Sequence, residues 1–353
     1  MKKKCLFFLQ SGVGGAEKMT VLIAKSLNSL THNVIFYVLD RPLGSSTITD
    51  FIPDTYTVNK LPKAYGMKLV KQLEHVLKKE KPDIVFASMF YVNTRLLALS
   101  VLHRNIKFII RNDNYLYTLT KAQKFIVRST YWLADTIIAQ TDEMRNELLH
   151  LPFLKKNKIV VLQNPIDTQR IDKQAKELSP YRNTKVIRYV ASGRFFHEKG
   201  FDILIKAFKL VVEKQSDSEL FIVGNNQGNC AAYYQKIQQL IDDLGIQEKV
   251  HCVGFQNNPY VYVKNADCFV LSSRNEGLPN VLIEALYLGT PVAATFCIPV
   301  IGRIVTEGKT GYLAEPENPQ SLACAMLKAP QLGRIHTDYQ SARIEDFAQL
   351  FNN

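Results

Sequence analysis

The stretch CFVLSSRNEGLPNVLIEALYLGTPVAAT, residues 268–295, holds one complete structural unit. CFVLSS is a short apolar run bounded by polar residues and fits a buried strand; PVAAT, at 291–295, fits a second. Between them an apolar stretch opens with Pro279 in its first turn, a preferred helix-starting position. Strand, helix and strand in succession build a parallel sheet. The helix is apolar along its length yet carries Glu284, eight residues after Glu276. A buried, unpaired carboxylate is costly or gives up its charge, so a polar partner is expected to meet it.

The same alternation runs through the chain. CLFFLQ, NVIFYVL (33–39), PDIVFAS (82–88), KFIIRN (107–112), DTIIAQ (135–140) and KIVVLQ (158–163) read as buried strands, with EKMTVLIAKSLNSL and MKLVKQLEHVLKKEK as helices between them. KVIRYVAS, ELFIVG (219–224) and KVHCVGF (249–255) continue the series in the second half. At 353 residues the chain exceeds what one core usually supports. The polar segment between Pro165 and Pro180 lacks a strand pattern and reads as a linker. The expected fold is therefore α/β, with two Rossmann-like, doubly wound domains facing a cleft. Their expected bounds are 1–165 for the first domain, 166–184 for the linker and 185–330 for the second. Residues 331–353 form a tail that either packs back on the first domain or does not.

In such sheets ligands bind beyond the carboxyl ends of the strands, so the loops there carry the chemistry. Four stand out. In SGVGGAEK (11–18), Gly14 and Gly15 open a helix; they fit either an anion cradle or a plain tight turn. In SGRFFHEKG (192–200), Arg194 and Lys199 bracket a loop and fit either two cations converging on a diphosphate or two solvated side chains. Gly254, Phe255 and Gln256 fit a platform for a flat ring or an ordinary loop. The fourth is SRNEGLPN, whose Gly277 and Pro279 lead into the helix and leave the N–H groups of Leu278, Asn280 and Val281 to hold phosphate oxygens. Glu284 lies one turn beyond Asn280, and a vicinal diol such as a ribose would satisfy it with two hydrogen bonds.

Composition excludes several classes. There is no GxGxxG, because position 17 is Glu17, so a nicotinamide fingerprint is absent. The six cysteines are scattered, with no CxxC pair and no His cluster, which fits a reducing cytoplasm and no metal site. No segment approaches a membrane span, and the apolar run in MKKKCLFFLQ is too short for a signal peptide. The net charge of +12 is uneven: residues 1–180 hold 27 Lys and Arg against 15 Asp and Glu, whereas residues 181–353 hold 17 of each. Such asymmetry fits a polyanionic partner of the first half or a solvated basic face. Neither aromatics interleaved with basic residues on one surface nor a known nucleic-acid module is read from the sequence, so nucleic acid is not expected.

With these residues in place, the sequence resembles the retaining glycosyltransferases of family 4, which have the GT-B fold. The resemblance rests on E-x7-E, Glu276 to Glu284, within NEGLPNVLIEALYLGTPV, on GRFFHEKG before it and on KTGYLAEPENPQSLACAM (309–326) after it. It covers most of the chain and implies a nucleotide-sugar donor, UDP first and GDP next, and no cofactor. It implies that Gly14 and Gly15 approach the donor diphosphate, that Arg194 and Lys199 neutralise it, that Glu276 faces the transferred sugar and that Glu284 binds the ribose. No DxD triplet occurs, in keeping with the metal independence that the resemblance implies. The resemblance implies that the product keeps the donor's α configuration and assigns no covalent nucleophile. Where many relatives carry a first-domain histidine, KFII runs into Arg111, Asn112 and Asp113; Arg111 is the expected substitute, with Asp113 a turn residue or a participant. The expected acceptor is a saccharide, lipid-linked, in cell-surface polysaccharide or lipopolysaccharide synthesis. The expected location is cytoplasmic and peripheral, on the inner face of an anionic membrane, with docking through Lys68, Lys71, Lys78, Lys79 and Lys81. The alternative is a catalytically degenerate scaffold of the same fold that only binds the donor.

Overall fold

The computed structural model describes residues 2–40, 47–181 and 186–352. The chain forms two compact units, Met1–Pro165 with Ser341–Asn353, and Ile166–Gln340. Among the described residues the first holds strands β1 (Lys3–Gln10), β2 (His32–Leu39), β3 (Thr57–Leu61), β4 (Ile84–Ala87), β5 (Lys107–Asn112), β6 (Thr136–Ala139) and β7 (Ile159–Val161). They form one parallel sheet in the order β3-β2-β1-β4-β5-β6-β7. The second unit holds β8 (Ile187–Ser192), β9 (Ser218–Val223), β10 (Val250–Gly254), β11 (Cys268–Leu271), β12 (Val292–Thr295) and β13 (Gly311–Ala314), parallel in the order β10-β9-β8-β11-β12-β13.

Two strands escape a reading of apolar runs, and both are sheet edges. TVNKL of β3 has no buried residue, and GYLA of β13 is short. An edge strand has one paired side, so its backbone holds it in place without an apolar run. The central strands read as continuous apolar segments because both their faces are covered.

In each sheet the order reverses beside one strand. The chain runs from β1 outward to β3, then returns to β4 on the other side of β1; likewise from β8 outward to β10, then back to β11. Loops leaving the carboxyl ends of strands on either side of such a reversal diverge and leave a crevice between them.

The expected linker is largely ordered and belongs to the second unit. Residues Thr168–Gln174 form a helix capped by Asp167, whose side chain accepts the N–H of Arg170 at 3.0 Å. Ile171 and Ala175 are buried with Tyr260. Sequence alone hid this because the two turns bury only Ile171, with Ala175 at their end. The last positions of the expected linker, 182–184, lie outside the described residues.

The C-terminal helix, Ile344–Asn352, packs on the first unit. Phe347 and Phe351 are fully buried, and the ring of Phe351 stacks 5.5 Å from Phe7, which in turn meets Phe86 at 5.1 Å. Lys3 and Lys107 donate to the carbonyls of Asn352 and Leu350 at 2.7 and 2.8 Å, placing cations at the negative end of the helix dipole. Phe351→Ala is expected to destabilise the first unit by about 3–5 kcal/mol, as for other buried phenylalanines; chemical denaturation followed by circular dichroism measures it.

Candidate functional site

The loops after β8 and β11 flank the reversal of the second sheet, and several contacts draw them together. Gly200 has φ +61°, and a Cβ on it would lie 2.1 Å from the carbonyl oxygen of Ser272. Only glycine lets the loop after β8 turn into helix Phe201–Lys214 this close to β11. Ser272 Oγ donates to the carbonyl of Lys199 at 2.8 Å, and the Arg274 N–H to the carbonyl of Glu198 at 2.8 Å. The consequence is chemical. Lys199 Nζ lies 2.6 Å from Glu276 Oε1, and Ser273 Oγ donates to the same oxygen at 2.6 Å. The pair is largely sheltered, with 26% and 11% of the side chains exposed, so its attraction is less screened than that of a surface pair.

Arg194 sits elsewhere on the first of these loops, its guanidinium 5.0 Å from the centroid of the Phe196 ring. Of the two cations read from the sequence, Lys199 is thus brought to Glu276 and Arg194 is stacked on a ring.

The helix after β11 spans Asn280–Tyr287 and buries Leu282, Ile283, Ala285 and Leu286. Glu284 is half-buried on it. The hydroxyl of Tyr260, a buried residue that the sequence reading did not single out, donates to Glu284 Oε1 at 3.4 Å. Burial first, and the carboxylate second, raise the Tyr260 phenol and keep it protonated as a donor. A protein hydroxyl therefore meets this carboxylate in the folded chain.

The entry to that helix departs from expectation. Pro279 precedes the helix as its cap, with φ −78° and ψ 85°, and the Asn280 N–H donates to the Leu278 carbonyl at 3.0 Å. This is an inverse γ-turn centred on Pro279. The Asn280 amide is therefore turned inward rather than left free for a phosphate. Gly277 and the buried Leu278 complete the loop, and Val281 follows in the first turn.

Gly254 closes β10 after a bulge and accepts the N–H of Gly224 at 2.9 Å, while Phe255 beside it is half-buried. Gly224 has no room for a side chain, because a Cβ would lie 1.7 Å from the Gly193 carbonyl. The loops after β8, β9 and β10 are thus packed backbone to backbone. In the first unit, Gly14 caps helix Gly15–Lys25 in an extended conformation, as the sequence predicts.

Arg111 is placed differently from the expectation. It is the next-to-last residue of β5 and buried, 2% exposed; its guanidinium pairs with Asp113 and donates to Asn164 Oδ1 at 2.5 Å. Asn164 donates to Gln140, and Gln140 to the Asn112 carbonyl, at 3.1 and 3.0 Å, so Arg111 belongs to a buried polar network. Burial lowers the Arg111 pKa; burial also raises that of Asp113, with Glu17 adding to the rise and Arg111 opposing it. Asp113 is accordingly more than a turn residue. A fully buried guanidinium cannot touch a ligand without rearrangement, and the aspartate two residues on is the group nearer the surface.

Arg274 is a residue that sequence reasoning passed over. Its guanidinium grips Asp202 with two hydrogen bonds of 2.7 and 2.8 Å, donates to the His197 carbonyl at 2.9 Å and reaches Glu317 at 2.5 Å. One side chain therefore ties the loop carrying Glu276 to the loop carrying Lys199. The available signal was its position two residues before Glu276. Among the described residues no three His, Cys, Asp or Glu side chains gather to hold a metal ion.

Burial alone would raise the Asp202 carboxyl, but hydrogen bonds from Arg274 and Tyr233 outweigh it and hold the pKa at about 2, below the ordinary 3.8. A depressed carboxylate stabilises the fold above its ordinary pKa and loses that contribution as pH falls toward its folded value. Melting temperature is expected to drop as pH falls from about 4 to about 2. In Asp202→Asn that decrement shrinks while stability at neutral pH is lower, which a pH series of melting curves checks.

Comparison with known proteins agrees with this architecture. Residues 13–170 match the family model described as Glycosyltransferase Family 4, and residues 171–341 match that described as Glycosyl transferases group 1. An uncharacterized glycosyltransferase of Methanocaldococcus jannaschii is 32% identical over 259 residues, covering 68% of this chain and 62% of that protein. The N-acetylgalactosamine-N,N'-diacetylbacillosaminyl-diphospho-undecaprenol 4-alpha-N-acetylgalactosaminyltransferase of Campylobacter jejuni is 24% identical, covering 99% of this chain and 97% of that one. The crystal structure of Anabaena HepE in complex with UDP and glucose superposes with a TM-score of 0.75 at 18% identity, over 99% of this chain and 98% of that one. With two doubly wound parallel sheets, a strand-order reversal in each, and family matches running from residue 13 to residue 341, the chain belongs to the glycosyltransferases of GT-B fold.

Proposed function

We propose that this glycosyltransferase moves a sugar, with retention of configuration, from a UDP-sugar to a saccharide acceptor carried on a lipid, in the synthesis of a cell-surface polysaccharide. The observation that carries the reading is the Lys199–Glu276 pair, held at the strand-order reversal by Ser273, with Glu284 one turn into the helix that follows. A cation and a carboxylate at such a crevice match the two ends of a nucleotide-sugar: an anionic diphosphate and a ring of hydroxyls.

The roles follow from the chemistry. Lys199 and Arg194 neutralise the diphosphate as the glycosidic C–O bond breaks, which lowers the barrier because charge grows on the leaving oxygen. They supply the positive charge that a divalent ion would otherwise bring. Glu276, already an acceptor of two hydrogen bonds, takes hydroxyls of the transferred sugar in their place. Glu284 takes the ribose diol, with Tyr260 holding its other contact. Gly14 and Gly15 present helix N–H groups to the phosphates, and the loop of Gly254 and Phe255 borders the base. A phosphate oxygen of the leaving group removes the acceptor proton on the departure face. Arg111 acts indirectly, as the buried cation that positions Asp113.

The UDP complex of HepE supports the choice of nucleotide, and the printed activity of the Campylobacter relative supports a lipid-diphosphate acceptor. The burial of Arg111 favours a second reading, a scaffold that binds the donor and transfers nothing.

Calorimetric titration of UDP, GDP, ADP and NAD into the wild type and into Glu284→Ala tests the donor site. UDP is expected to bind, and the variant to lose about 1–3 kcal/mol, the worth of a hydrogen bond to a charged group. Equal binding by the variant, or no binding of any nucleotide, sinks the E-x7-E assignment. Lys199→Ala is expected to lower the turnover of UDP-sugar by about 100-fold or more. Tight UDP binding without UDP release over a broad donor and acceptor panel would establish the scaffold instead.

A further inference from the structure

The first unit carries a second feature outside the donor chemistry. Helix Lys121–Thr130 buries one residue, Val127. Helical spacing places Lys121, Phe125, Arg128 and, one turn on, Trp132 along a single face. Phe125 is 71% exposed, Trp132 41% and Tyr117 56%. The ring of Trp132 meets that of Phe153, itself 82% exposed, edge-on at 6.4 Å. A lone exposed aromatic needs no explanation, but a row of them on a soluble surface does.

Charge gives the row its partner. Between Asp113 and Asp135 there is no acidic residue, and the cations are Lys121, Lys124 and Arg128; between Glu147 and Asp167 there is again none, and the cations are Lys155, Lys156 and Lys158. Lys121, Lys124, Arg128, Lys155 and Lys156 are exposed around the rings. Lys158 is tied down, donating to the carbonyls of Trp132 and Ala134 at 3.0 and 2.6 Å, which fixes the loop holding Phe153 against the helix.

We propose that this face, Phe125, Trp132 and Phe153 within a ring of cations, docks the protein on an anionic lipid bilayer. The proposal rests on the lipid-carried acceptor of the preceding section and names the surface that reaches it. A purely acidic surface would satisfy the cations and leave the rings without an apolar partner. A bilayer interface satisfies both, with headgroup phosphates at the cations and the acyl boundary at the rings, where tryptophan and tyrosine prefer to lie. The face differs from the lysine helix expected from sequence. In Gly66–Glu80, Lys78 is paired with Glu74 at 2.7 Å and Lys79 with Glu80 at 4.0 Å, so part of that charge is spent internally. Position favours the new face as well. Leu119 and Tyr131, just before and just after the helix, line a small notch with Asn93, Asn112, Asp113 and Asn114. A lipid-borne saccharide at the docked surface would meet the exposed Asn114 and the half-buried Asp113 there, with Asn93 and Asn112 buried behind them.

The chain has one tryptophan, Trp132, so its emission reports this patch alone. The full-length protein is titrated with vesicles of phosphatidylglycerol and phosphatidylcholine carrying brominated acyl chains, at low salt. Quenching and a blue shift are expected with phosphatidylglycerol present, weak with phosphatidylcholine alone and reversed by high salt. Phe125→Ser with Phe153→Ser is expected to weaken vesicle binding about tenfold or more while leaving UDP titration unchanged. Co-sedimentation without quenching would place docking on another face and overturn the proposal, as would no co-sedimentation at low salt. A blue shift on raising protein concentration without lipid, with a doubled mass, would make this a contact between copies instead. UDP binding is measured separately, so a failed donor reading and a failed docking face give different results.

Discussion

Much of the second unit depends on how closely two backbones can pass. At Gly200 a methyl group would collide with the Ser272 carbonyl, and at Gly224 with that of Gly193. These approaches bring the loops after β8 and β11 within reach, and a lysine and a glutamate 77 residues apart in the chain come to hydrogen-bonding distance. The ion pair by itself is worth little, because each group gives up water to form it. Its value lies in placement: a cation and an acceptor fixed side by side at the carboxyl edge of a parallel sheet, before any ligand arrives.

Arg274 shows how such placement is maintained. Its planar donor array matches the carboxylate of Asp202 edge to edge and still reaches Glu317 and a main-chain carbonyl. Lysine could not make these bonds together. The clamp spans the same two loops as the Lys199–Glu276 pair, so the site is braced at both ends.

The first unit solves a different problem. It carries the chain's excess positive charge and a guanidinium buried in its sheet. The network of Asp113, Asn164, Gln140 and Asn112 offsets much of the cost of that burial by engaging both terminal nitrogens of the guanidinium, although its Nε is left without a partner. Its sheet is completed by a helix from the far end of the chain, whose Phe351 stacks on Phe7. Chain termini that meet in one core tie the unit together across the whole of the intervening sequence.

The alternation of apolar runs and amphipathic stretches sufficed to predict two parallel sheets, because strands covered on both faces leave an unbroken apolar signature. Glu276, Arg194 and Lys199 stood out as charged residues in strand-following loops, and Glu284 as a carboxylate on an apolar helix. The half-buried edge strands were not, since they depend on backbone partners distant in the chain; nor were the short helix at 168–174, which buries too little to leave a period, and the inward turn of the Asn280 amide, which follows from the backbone angles of Pro279. Nor could spacing show that Tyr260 meets Glu284 or that Arg111 points inward. Sequence by itself determined the periodicity and the charged residues at the ends of the strands. Tertiary structure decided which strand neighbours which, and hence which charges meet, because strand order is set by packing between segments that no local pattern records.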